Sequence, residues 1–289
     1  MTALLVRVPQ RAEDPPALLY HYTTRPALIG MISSKAVWAT HIRYLNDAAE
    51  YSYAADFASD LIRFRRETHK SPEEILYLDE LQRRLAAMDV NTETYVFSLS
   101  ADGGDRLSQW RAYTSPGDSY SLGFRSDALV EIADRDKLFF LKCIYNRDEQ
   151  QRQLLALLDR SLDALGARLP ERDPAEHREG VVISTLVEFD LLAATLKDPA
   201  FAEEQEWRLI LSTRFAPPCP ILFRPGKSLV TPYVVMRLTL DDGAFPIRQV
   251  VLGPSPHMPL DAYAVLRLCA AHGVRVSELL HSVVPYRAW

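Results

Sequence analysis

Stretches of period two and stretches of helical period fall in blocks along this chain rather than alternating through it. Thr94-Tyr95-Val96-Phe97-Ser98-Leu99-Ser100 has the composition of a strand, closed by the turn Ala101-Asp102-Gly103-Gly104-Asp105. Before it, 17–22 and 36–40 read as strands around a helix that starts at Thr23 or Thr24 and carries Pro26 in its first turn. Asp47 and Glu50 are spaced as a capping box for a helix burying Tyr51, Ala54, Ala58, Leu61 and Ile62. Ser71-Pro72-Glu73-Glu74 opens another, with Ile75, Leu78, Leu81 and Leu85 on its apolar side. A short helix over 107–113 follows the Gly-rich turn, then strands over 120–124 and 139–145. Leu and Val spacing predicts helices over 148–169 and 174–196 with a polar break between them, and His177 and Glu179, in a polar stretch, should face solvent.

The last third is β-rich, with strands over 207–212, 221–224, 233–240 and 247–252. A helix over 259–272 and short strands at 274–277 and 282–286 close the chain. Clustered strands and helices favour α+β over a parallel α/β sheet. The expectation is one domain over residues 1–289, with a helical insert at about 148–197.

Composition narrows the class. With 48% hydrophobic residues over 289 positions there is material for a sizeable core. A net charge of −5 argues against a general nucleic-acid coat protein but leaves room for a local basic groove. The densest basic cluster, Arg63, Arg65 and Arg66 with Lys70, is expected to be a solvated helix face. Cys143, Cys219 and Cys269 are odd in number and far apart, so they frame neither disulfides nor a zinc site and suit a reducing compartment. No stretch approaches the roughly 18 apolar residues of a membrane span, and the first residues lack a signal-peptide pattern. A cytoplasmic protein with no membrane partner is expected.

Familiar cofactor motifs are missing. No G-x-G-x-x-G follows a strand, and Gly226-Lys227-Ser228 lacks the glycine that opens a P-loop. Neither H-E-x-x-H nor G-x-S-x-G occurs, and no metal site is expected. Attention falls instead on Phe201-Ala202-Glu203-Glu204-Gln205-Glu206-Trp207-Arg208-Leu209. Glu206 opens an apolar strand, where a carboxylate must be solvated, paired or working. Strand period sets Glu204 and Arg208 on its side, and sends Trp207 and Leu209 to the core. A simple ion pair of Glu206 with Arg208 is the bland account. Three other segments carry polar groups where a core does not need them: Tyr20-His21-Tyr22-Thr23, Tyr44-Leu45-Asn46-Asp47, and Ser98-Leu99-Ser100 with Gln109-Trp110-Arg111 behind it.

The order of these segments resembles a large bacterial family of unknown function. The marks are Leu19-Tyr20-His21-Tyr22-Thr23, Ala39-Thr40 with Tyr44-Leu45-Asn46-Asp47-x-x-Glu50, Phe97-Ser98 with Ser108-Gln109-Trp110-Arg111-x-Tyr113, Gly123-Phe124, Glu204-x-Glu206-Trp207-Arg208, Pro232-Tyr233 and Pro285-Tyr286-Arg287. More distantly, a His strand, a Ser-x-Ser strand and a late Glu-x-Glu strand resemble the NAD-dependent ADP-ribosyltransferases. That resemblance implies a split β-sheet core with flanking helices, and NAD as substrate. It departs from the Arg-Ser-Glu pattern in carrying His21 on the first strand.

The likeness implies particular roles. Glu206 would stabilise the oxocarbenium-like state as the nicotinamide–ribose bond breaks, and Glu204 would handle the incoming nucleophile. His21 with Thr23 would hold the adenosine-side ribose, and Tyr22, Asn46, Ser98 and Ser100 would line the NAD site. Tyr113 or Tyr120 would stack on nicotinamide, and Arg111 would pair with pyrophosphate or polarise the acceptor. ADP-ribose would pass to an unknown protein or nucleic-acid acceptor, or to water, in a toxin or anti-phage role. Two rivals come from other classes: a non-catalytic sensor or binding module, and a metal-dependent nuclease using Asp198, Glu204 and Glu206.

Overall fold

The computed structural model describes residues 13–45, 49–68, 71–87, 94–115, 117–168, 171–226, 228–255 and 257–284. Asn46, Asp47 and Pro285-Tyr286-Arg287 lie outside them, as does the side chain of Glu50. In chain order the elements are β1 (Leu18–Thr23), α1 (Arg25–Ser34), β2 (Ala36–His41), α2 (Ala49–Thr68), α3 (Pro72–Ala86), β3 (Thr94–Ser100), α4 (Leu107–Tyr113) and β4 (Tyr120–Arg125). Then follow α5 (Ser126–Asp136), β5 (Phe139–Lys142), α6 (Arg147–Gly166), α7 (Pro174–Ala193), β6 (Glu206–Ser212), β7 (Leu222–Pro225), β8 (Val230–Arg237), β9 (Ile247–Leu252), α8 (Met258–Ala271) and β10 (Glu278–His281). The fold is α+β, with a sheet that is antiparallel except where β10 lies parallel to β9.

β3 is the branch point of that sheet. Along one side it pairs with β6 over its whole length, from Thr94↔Ser212 to Ser100↔Glu206. Its other side is shared: β1 meets it at Tyr20↔Ser100, and β2 meets it at Thr40↔Val96 and His41↔Tyr95. The sheet therefore forks into a limb β1-β4-β9-β10 and a limb β2-β8-β7. Ser98 lies between the two points of contact, and its carbonyl accepts a hydrogen bond from His21 Nδ1 at 2.9 Å. A side chain, rather than a third strand, takes up that backbone acceptor.

Alternation along β3 and β6 sorts side chains into two cores. Tyr95, Phe97, Leu99, Trp207, Leu209 and Leu211 face one way and pack with α1, α5 and α8. Val96 and Ile210 face the other way, into a helical layer of α2, α3, α6 and α7. α7 is the central helix of that layer because it is apolar nearly all round, with Val181, Val182, Leu186, Phe189 and Leu191 all buried. α6 and α7 occupy the stretch where a helical insert is expected, and α2 and α3 pack with them. Among the described residues no helix is long and apolar enough to cross a membrane.

Two expectations are corrected and one helix is added. α5 was not foreseen, although Ala128, Leu129, Ile132 and Ala133 recur at helical spacing and are buried. The closing strand is Glu278–His281, between the two stretches proposed, because pairing with β9 after the α8 crossover sets its register. His177 is buried rather than solvent-facing: its Nε2 donates to the Ala164 carbonyl at 3.0 Å, tying α7 to the end of α6. The turn after β3 brings α4 back over β1. Gly104 has φ +84°, and a Cβ there would stand 2.3 Å from the Tyr20 ring, so only glycine fits this approach.

Candidate functional site

Glu204 and Glu206 come together, though not through strand period. Glu204 ends a 3₁₀ turn, Pro199–Glu204, which Asp198 caps by accepting the Ala200 N–H at 2.8 Å. Gln205 then takes a left-handed conformation (φ 44°), and β6 begins at Glu206. Lys197, just ahead of the turn, donates from Nζ to a carboxylate oxygen of each glutamate. Arg208 lies on the Glu206 side as expected, with Nε 2.7 Å from Oε1 and Nη2 3.1 Å from Oε2. Its Nη1 donates to the Ala194 carbonyl at 2.9 Å, fixing the fork of donors against the end of α7.

Neighbouring strands and α4 complete the shell. Tyr113 Oη donates to Glu204 Oε1 at 3.0 Å, and Ser100 Oγ donates to the Glu204 carbonyl at 2.5 Å. The Glu206 backbone N–H donates to Tyr145 Oη at 2.9 Å. The Phe201 ring faces the Lys197 ammonium, with its centroid 5.3 Å away. Trp207 points to the opposite core, as its parity requires.

Two carboxylates and two cations balance in charge, and most of the cluster is shut away from water. Glu206, Arg208 and Lys197 are 5%, 1% and 3% exposed, while the Glu204 side chain keeps 13%. Burial alone would raise the Glu206 carboxyl, but the adjoining Arg208 and Lys197 outweigh it and hold it well below the usual carboxylate range. Burial and the Glu204 charge push the Tyr113 phenol up, so it remains a hydrogen-bond donor at neutral pH. Glu204 is therefore the member of the cluster nearest solvent, held from both sides by an ammonium and a phenol.

Some of the remaining expected residues gather here and others do not. Register aligns Tyr20, Ser100 and Glu206 across β1, β3 and β6, and aligns Ser98 with Arg208. Tyr22 shares that face, where its hydroxyl donates to Asp102 at 3.0 Å and its ring meets Trp110 edge-on. His21 and Thr23 have the other parity. The His21 ring turns away from Glu206, lies 4.4 Å from the Phe97 ring, and pairs in register with Leu122. Burial, with a contribution from the Arg224 charge, lowers the His21 imidazole to about 4 despite the Ser98 hydrogen bond, so Nε2 is a bare acceptor at neutral pH.

Tyr120 also faces away. It is buried in the α1–α5–α8 core and its hydroxyl donates to Asp261 at 3.0 Å, which leaves Tyr113 as the tyrosine at the carboxylates. Arg111 is exposed on α4. Asn46 lies outside the described residues. Asp198 spends its carboxylate on the 3₁₀ turn, and Lys197 occupies oxygens of both glutamates. Among the described residues no group of three or more His, Cys, Asp or Glu is placed to hold a metal ion.

Comparison with known sequences locates this cluster within a matched span. Residues 109–209 match the model of a family described as a protein of unknown function (DUF2971). That span begins in α4 and ends in β6, so it holds Tyr113, Tyr145, Lys197, Glu204, Glu206 and Arg208, while His21, Ser98 and Ser100 lie before it. No curated protein and no solved structure matches the chain. Lys197 and Tyr145 are the members of the cluster that sequence reasoning missed. Lys197 left only a compositional hint, a cation just after the mostly apolar run Leu191–Leu196.

Proposed function

We propose that the chain is an NAD-dependent enzyme of ADP-ribosyltransferase type, in which Glu204 rather than Glu206 meets the substrate. The observation that carries this reading is the adjacency of β1, β3 and β6, which lines up Tyr20 and Tyr22, Ser98 and Ser100, and Glu206 on one face beside Glu204. The division of the sheet at β3 is further support, since the resemblance implies a split core.

In this mechanism the bond between ribose C1′ and the nicotinamide nitrogen breaks, and its electron pair leaves with nicotinamide. The Glu204 carboxylate faces the positive charge developing at C1′. A nucleophile from a macromolecular acceptor, or water, then bonds to C1′ and gives its proton to Glu204. Tyr113 and Lys197 orient Glu204, and Glu206 with Arg208 holds Lys197 in place. The test is incubation with NAD labelled in the adenosine portion, with protein, DNA and RNA acceptors present. Nicotinamide release is expected from the wild type and should fall by at least about 100-fold in Glu204→Gln, with the fold intact by circular dichroism. Absence of nicotinamide release, label transfer and NAD binding sinks the reading.

Charge balance favours a second reading. Glu206 is buried and fully matched by Arg208 and Lys197, as in a cluster that only builds a surface. A non-catalytic binding module would keep its biological effect in Glu204→Gln, which separates the two. The nuclease alternative requires magnesium to displace Lys197 from both carboxylates, and EDTA-sensitive loss of nucleic acid would reveal it.

A further inference from the structure

The β2-β8-β7 limb of the fork carries a cation of a different kind from those in the carboxylate cluster. Arg224, on β7, is partly buried, and its guanidinium lies 5.7 Å from the centre of the Trp38 ring and 5.9 Å from that of Tyr233. One N–H of the five donates to Thr40 Oγ1 at 2.7 Å. No carboxylate among the described residues pairs with it, whereas Arg84, Arg160 and Arg178 each meet a glutamate. Burial works against the Arg224 charge, and the environment offers little to offset it. A partly desolvated guanidinium with spare donors is a receptor for an oxyanion, because phosphate matches the fork of donors and supplies the missing charge.

The neighbouring surface says what the oxyanion is attached to. Trp38 is 51% exposed although its ring already packs on Tyr233, at 4.5 Å between centroids. Its cross-strand partner Val235 is exposed as well, so a flat apolar platform lies beside the cation. An aromatic face of this size in water next to an unmatched guanidinium fits a planar base joined to a phosphate. We propose that Arg224 and Trp38 form a nucleotide-binding site, with phosphate on the Arg224 guanidinium and the base stacked on Trp38. Thr40 and Tyr233 position the guanidinium. The site uses neither Glu204 nor Glu206, so it stands whether or not the chain cleaves NAD.

Adenosine monophosphate and inorganic phosphate are the probes, titrated by calorimetry and by tryptophan fluorescence. AMP should bind and quench fluorescence, and the quench should disappear in Trp38→Phe. Arg224→Gln and Arg224→Lys should each weaken AMP at least about tenfold, with thermal melts confirming that both fold. Inorganic phosphate should bind more weakly than AMP and lose its binding in Arg224→Gln. Glu204→Gln should bind AMP as the wild type does. His21 supplies an independent readout: AMP at Arg224 offsets a positive charge that depresses the imidazole, so its NMR titration should move up from about 4. No AMP binding, equal affinity in the Arg224 variants, or phosphate bound as tightly as AMP each overturns the assignment.

Discussion

At the scale of single residues, the carboxylate cluster is an all-or-none arrangement. Removing one charge from a buried, compensated set leaves its partners without an anion in low dielectric, at a cost of about 3–5 kcal/mol. Glu206→Gln should destabilise the protein by that order in urea, because the Arg208 guanidinium loses the carboxylate it pairs with and Lys197 keeps only Glu204. Adding Lys197→Met restores the balance of one carboxylate and one guanidinium. The double variant should therefore be no less stable than Glu206→Gln alone, a coupling above about 1 kcal/mol. Strict additivity would show that the four side chains are not a network. The pH dependence follows the same pairs. The Glu206 carboxyl is held below its unfolded value, so its stabilisation is complete above the usual carboxylate range and drains away as the solution is acidified. Glu206, Arg208 and the burial of Trp207 were readable from sequence, since strand parity and the cost of a lone buried charge suffice for them. Lys197 was not, because its approach depends on the left-handed turn at Gln205, which strand period does not anticipate.

At the scale of elements, α2 and α7 meet through a buried acid with an unusual titration. Asp190 accepts a hydrogen bond from Tyr51 Oη at 2.8 Å in the helical core. Burial raises its carboxyl to about 7, only partly countered by the Tyr51 hydrogen bond and by Arg43 and Arg214. The folded state then holds this proton more tightly than the unfolded state does. Its stabilising contribution is full below the unfolded value near 4 and is lost as pH rises toward about 7. The loss is on the order of 4 kcal/mol, taking 1.36 kcal/mol per unit. Asp190→Asn keeps the shape and the Tyr51 acceptor but cannot ionise. The stability difference between variant and wild type, followed by urea melts from pH 4 to 8, should grow in favour of the variant as pH rises. A flat difference would place the Asp190 titration elsewhere. Local pattern foretold most such elements, because capping residues and apolar spacing act within one turn or one strand. It passed over α5, although Ala128, Leu129, Ile132 and Ala133 recur there at helical spacing. It placed β10 wrongly, because pairing with β9 decides that register and no nearby residue encodes it.

At the scale of the whole molecule, the fork was the feature least accessible to sequence reasoning, since it depends on which strands share the far side of β3. The same two strands, β3 and β6, separate the cores, and each supplies side chains to both. Leu209 packs into the α1–α5–α8 core, and its neighbour Ile210 packs into the helical layer; both are fully buried. A helical layer that could melt by itself would have to strip Val96 and Ile210 of their contacts while leaving Phe97 and Leu209 in place on the same backbone. Packed interiors do not tolerate that, because the strand that loses one face loses the support for its register on the other. Leu209→Ala and Ile210→Ala should therefore each cost about 2–5 kcal/mol and shift one common unfolding transition. Far-ultraviolet circular dichroism draws most of its helical signal from the long helices α2, α3, α6 and α7, while the tryptophan fluorescence includes that of Trp207, buried in the opposite core. The two signals should keep coincident midpoints in the wild type and in both variants. A midpoint for helix loss that separates from the Trp207 midpoint in Ile210→Ala would mean that the helical layer is an independent folding unit, and that the shared strands do not couple the two cores.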